Sequence, residues 1–165
     1  LSYGNPEVGD MVVRIPPGAV QVPTEIRLTN DTTMASTQRA EGQTPVLDFA
    51  LRAYRQNEEV PNLTFSVPMT ITIHYSDDGL RDVDERTLEL LAWDGTTWST
   101  EGMTVTKRDV MRNKLVVQTT YPMEYVLRGH AIYHTYLPLT MHTHSRTRAL
   151  TTQIRGRVTR MGWAR

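Results

Sequence analysis

The feature that most constrains this chain is a two-residue period of apolar side chains, carried by short runs that turn residues separate. In residues 63–75, LTFSVPMTITIHY, the side chains of Leu63, Phe65, Val67, Met69, Ile71, Ile73 and Tyr75 share one parity. Alternate residues of an extended strand face the same side, so this spacing buries one face of a strand and wets the other. Residues 46–54, VLDFALRAY, set Leu47, Phe49, Leu51 and Ala53 against Val46, Asp48, Ala50, Arg52 and Tyr54 in the same way. A helix needs a period near 3.6 residues, and no run longer than about ten residues shows it.

Further short runs read as strands: residues 11–15, which are apolar, 25–29 (EIRLT), which alternate strictly, and 87–93 (TLELLAW), 103–110, 115–119 and 125–127. Asp94-Gly95-Thr96-Thr97 reads as a hairpin turn before Trp98. Recurrent short strands with turns between them predict roughly eight to ten strands in an all-β antiparallel sandwich. The 24 threonines support this reading, because β-branched residues suit a pleated, half-buried surface. Residues 30–45, polar and small, read as a long partner-facing loop. Pro68 marks an edge or a bulge, since proline brings no ladder donor. By the same logic Pro16 and Pro17 in VRIPPGAV end the first strand, and Gly18 takes a turn towards the opposite sheet.

At 165 residues the chain has room for one domain with an extension, and it contains no cysteine. Disulfides and thiolate chemistry are therefore excluded. No apolar run approaches the roughly 18 residues of a membrane-spanning helix. The formal net charge is zero, but it is segregated. Residues 1–128 hold 12 basic and all 18 acidic residues, a net of −6, and residues 129–165 hold six arginines and no acid, a net of +6. The change in character near residue 129 predicts a sandwich over residues 1–128 and a basic, His-, Tyr- and Arg-rich β arm over 129–165.

The order of signals over residues 8–128 resembles a known family. IPPGAV, TEIRLT, SVPMTITIHYSDD, VDERTLELLAWDGTTW and YPMEYVLRG together look like the ZU5-like β-sandwich modules of bacterial secreted and surface proteins. The resemblance implies that fold and an extracellular or cell-surface setting. Animal members of the broader family often self-cleave at a His-Phe-Ser motif near the last strand. The corresponding place here reads TYPMEY (120–125), without histidine or serine, so the resemblance implies no autoproteolysis.

The candidate sites are few. Asp77, Asp78, Asp82, Asp84 and Glu85 crowd into nine residues, a candidate loop for a hard cation such as Ca²⁺, although the spacing is not that of an EF-hand. The plainer reading is a solvated turn, and no cofactor is expected. His130, His134, His142 and His144 lie close in sequence with no carboxylate nearby, which reads as a surface or interface rather than a metal site. Trp93 and Trp98 flank the hairpin turn, where one is expected in the core and the other is a candidate stacking surface for a ligand. No serine sits in a nucleophile elbow, no carboxylate pair marks a cleft, and Glu58-Glu59 reads as a loop face. The expectation is therefore a protein that is not an enzyme. The acidic body and the lack of a recognised motif argue against nucleic acid.

In the arm, Leu150, Ile154 and Val158 share one parity, Arg155 and Arg157 the other, and Trp163 forms an apolar tip. An extended segment of this kind suits addition to an exposed sheet edge. If it reaches a neighbour head to tail, copies propagate into a homopolymer or filament; if it pairs with its own body, it is an ordinary last strand. Both remain open, as does a ligand- or carbohydrate-binding accessory module of a larger secreted protein.

Overall fold

The alternating runs become strands in a computed structural model, which describes residues 1–5, 9–30, 43–80 and 82–132. The strands are β1 (Ser2–Asn5), β2 (Gly9–Arg14), β3 (Glu25–Thr29), β4 (Gln43–Arg55), β5 (Glu58–Glu59), β6 (Met69–Tyr75), β7 (Glu89–Trp93), β8 (Trp98–Ser99), β9 (Met103–Asp109), β10 (Lys114–Thr119) and β11 (Glu124–His130). Helical structure among the described residues is limited to three single 3-10 turns, Asp78–Leu80, Glu85–Thr87 and Val110–Arg112.

Two antiparallel sheets result, one in the order β1-β2-β6-β10-β9 and the other β3-β4-β11-β7-β8, with β5 attached to β4. Every second residue of β6 is buried, Met69, Ile71, Ile73 and Tyr75, and Met11, Val13, Leu115 and Val117 join them from the flanking strands. The other sheet contributes Leu47, Phe49, Leu51, Leu90, Tyr125 and Leu127 to the same cluster. The two apolar faces therefore meet in one core, a β-sandwich-like architecture. Each such side chain removed from water contributes about 1.5–3 kcal/mol. Phe49 and Tyr125, on neighbouring strands, stack with ring centroids 5.1 Å apart.

The proline pair does what its chemistry requires. β2 stops at Arg14 in one sheet, and the next strand, β3, lies in the other. Gly18 occupies the left-handed region at φ 77°, a conformation that costs glycine least. Ser66 pins the crossover, its hydroxyl donating to the Gly18 carbonyl at 2.7 Å and its backbone N–H to the Ala19 carbonyl at 2.9 Å.

Residues 63–75 do not form one strand as the shared parity suggests. β6 begins at Met69, immediately after Pro68. Phe65 is buried and its N–H donates to the Thr120 carbonyl at 2.8 Å, whereas Val67 is exposed. With Ser66 bonded to the crossover and Pro68 lacking a donor, the backbone between them has no ladder to join. Eleven strands, rather than eight to ten, are present among the described residues. The additions include β1, whose SYGN carries no apolar alternation, and β5, where Glu58-Glu59 was expected in a loop. β5 exists because Gln56 and Asn57 both take positive φ, 52° and 69°, the pattern of a tight two-residue hairpin. β11 carries the sandwich past residue 128, pairing Gly129 with Thr44 and His130 with Gln43.

Most of the 30–45 loop and of the basic arm, including Leu150, Ile154, Arg155, Arg157, Val158 and Trp163, lies outside the described residues, as do His134, His142 and His144.

Candidate functional site

The outward face of the six-stranded sheet carries the unusual chemistry. Alternation along β11 sends Tyr125 and Leu127 into the core and Glu124, Val126 and Arg128 to the other side. There Val126 pairs with Leu91 of β7, and the two form a second, smaller apolar cluster against which Trp98 packs. Trp98 faces Trp93 across the β7–β8 hairpin, the rings tilted and 5.4 Å apart. The Arg128 guanidinium lies 5.2 Å from the centre of the Trp98 ring and is only 2% exposed, and burial lowers its pKa. Trp98 thus packs on Leu91 and Val126 and has a cation over its ring.

The hairpin turn is built on Asp94. Its Oδ1 accepts from the backbone N–H of Thr96 at 2.7 Å and of Thr97 at 2.8 Å, and from the Thr96 hydroxyl at 2.8 Å. The N–H groups of Thr97 and Thr96, followed by that hydroxyl, hold the Asp94 carboxyl below its ordinary pKa, so it stays charged.

Beside this turn a cleft of about 290 Å³ opens between β4, β5 and β7. Trp93 forms one wall, and Arg52, Glu59, Asn62, Asp94 and Glu124 supply polar groups. Arg52 sits between two acids, Nη2 at 2.8 Å from Glu124 Oε1 and Nη1 at 3.2 Å from Glu59 Oε1. Neither Arg52 nor Glu124 stands out as a site residue in the sequence. They meet only because β4 and β11 pair with Glu124 opposite Ala50, a register set by chain segments far apart. The one local signal is the polar parity of β4, on which Asp48 and Arg52 interrupt an apolar strand.

The acidic loop, in contrast, is stitched into the end of β11. Asp77 accepts from the Asn113 side chain at 2.6 Å, and the Asp84 carboxylate caps a 3-10 turn through the Arg86 N–H at 3.0 Å. The Asp84 backbone N–H donates to the His130 carbonyl, and the Ile132 N–H to that of Asp82. Among the described residues no three His, Asp or Glu side chains gather as a metal site would require.

At the edge of the other sheet, β9 pairs with β10 alone among the described strands, and its side chains from Thr104 to Arg108 are exposed. Val105 sits opposite the buried Val117, so it shares the core-facing side, yet it is 50% exposed.

No protein-family model matches the chain, and searches of curated proteins and of solved structures found no match either.

Proposed function

We propose that this chain is a non-enzymatic structural protein of the ZU5-like sandwich type, extracellular or at the cell surface, that assembles by lending its C-terminal segment to a neighbouring sandwich. The observation that carries the reading is β9, a seven-residue edge strand with an exposed core-side valine. An added strand there gains main-chain hydrogen bonds along its length and sets apolar side chains beside Met103 and Val105. Leu150, Ile154 and Val158 have the two-residue phase for that face. The opposite net charges of residues 1–128 and 129–165 favour the approach of one copy to another. Lys107 on β9 also fits a controlled edge, since an exposed lysine discourages indiscriminate strand pairing.

The test is whether the purified full chain is polymeric by size-exclusion chromatography and electron microscopy. Polymers are expected, and deleting residues 140–165 or introducing Val105→Lys should abolish them. A filament that persists through the truncation sinks the proposal, as does a monomeric full chain at every concentration tested.

A further inference from the structure

We infer that the cleft beside Trp93 receives an arginine side chain, donated by residues 146–165 of a second copy of the chain. This rests on the assembly reading and deepens it by naming where a cation of the arm is held. At about 290 Å³ the cleft is at the small end of ligand cavities, the scale of one long side chain rather than a cofactor. Its lining brings three carboxylates, Glu59, Asp94 and Glu124, against the single guanidinium of Arg52. Arg52 serves Glu59 and Glu124 together, and Asp94 adds a third carboxylate to the lining. The Asp94 carboxylate contributes in a defined way: its three turn hydrogen bonds all fall on Oδ1, and none of them engages Oδ2.

Trp93 adds the second element of a cation receptor, an aromatic residue in the same lining as the carboxylates. The same sheet already uses this pairing. The Arg27 guanidinium lies 4.1 Å from the Tyr54 ring centre and pairs with Glu25 at 2.9 Å. A planar guanidinium stacks on a ring and forks onto a carboxylate at once, which an ammonium does less well. The chain's own supply of cations matches that preference. Residues 146–165 carry six arginines, no lysine and no acid.

The full-length protein is titrated with a synthetic peptide of residues 146–165 and with the same peptide carrying glutamine at all six arginines, followed by calorimetry at low and high salt. The arginine peptide is expected to bind and to weaken as salt rises. The glutamine peptide is expected not to bind. Trp93→Leu and, separately, Glu59→Gln in the protein should each weaken the arginine peptide at least tenfold; Glu59 is half exposed, so its substitution leaves the fold intact. Equal affinity in the variants overturns the inference, as does equal affinity for the two peptides. A neutral oligosaccharide that binds where the peptide does not, and is lost with Trp93→Leu, overturns it in favour of a sugar site. The two proposals fail separately. Polymers that form equally well in both cleft variants, with peptide affinity unchanged, remove the cleft and leave the assembly. Cleft-dependent peptide binding by a chain that stays monomeric supports the cleft and removes the polymer.

Discussion

The buried Tyr125 hydroxyl donates a hydrogen bond to the backbone carbonyl of Tyr121, four residues upstream, at the point where the chain enters β11. The bond fixes the corner through which the chain passes from β10 in one sheet to β11 in the other. It is the tyrosine-corner device of two-sheet proteins, in which a core ring is anchored by its polar end. Removing the hydroxyl with Tyr125→Phe leaves the ring stacked on Phe49 but the carbonyl without this donor. A loss of about 1–2 kcal/mol in urea unfolding at neutral pH is expected.

Tyr125 also predicts an alkaline limb. Burial raises the pKa of its phenol well above the ordinary value near 10.0. Below that value the folded and unfolded chains both keep the proton, and the native state retains its full stability. Above it the unfolded chain releases the proton while the native state holds it, so stability falls as pH rises. Tyr75, whose pKa burial also raises, adds to the same limb. Unfolding free energies measured from neutral to strongly alkaline pH should fall in the wild type and fall less steeply in Tyr125→Phe; identical slopes would contradict the assignment.

Residues 63–68 show where the sequence was legible and where it was not. Parity correctly marks Met69, Ile71, Ile73 and Tyr75 as one buried face, because a ladder on both sides of β6 enforces strict alternation. Upstream of Pro68 parity holds at Leu63 and Phe65 and fails at Val67, between Ser66, which bonds to the 18–19 crossover, and Pro68, which brings no donor. The prolines themselves were readable, since a missing donor is a local property. The cleft was not, since Arg52 and Glu124 are 72 positions apart and meet only through strand register. Phe65→Ala should therefore cost about 3–5 kcal/mol, the range for a buried aromatic. Val67→Ser, equal in parity but exposed, should stay within about 0.5 kcal/mol of wild type. Chemical denaturation of the pair checks the register directly.

Gly129 tests how far the sandwich extends. A Cβ at this position would overlap Val83 Cγ1 and lie 3.2 Å from Leu88 Cδ2, both on buried residues. The close approach lets β11 lie against the segment that carries the acidic loop, and Val83 in turn bridges Ala131. Gly129→Val should destabilise the protein by about 1–3 kcal/mol through overpacking. Thermal melts that show no loss would place residue 129 outside the packed body.

Trp98 separates a packing role from a binding role. Its ring lies on Leu91 and Val126, beside Trp93 and beneath the Arg128 guanidinium, so truncation removes contacts from four neighbours at once. Trp98→Ala should cost about 2–3 kcal/mol, less than for a fully enclosed tryptophan because the ring is half-buried. It should also remove the aromatic ring that lies 5.2 Å from the Arg128 guanidinium. Trp98→Phe, which keeps an aromatic face for both contacts, should recover much of the stability. A stacking platform for a ligand behaves in the opposite way, losing affinity on truncation while its melting temperature holds. Melting temperature and oligosaccharide binding measured on the same three proteins distinguish the two, and a stable Trp98→Ala would return the residue to the surface role that its place beside the turn first suggested.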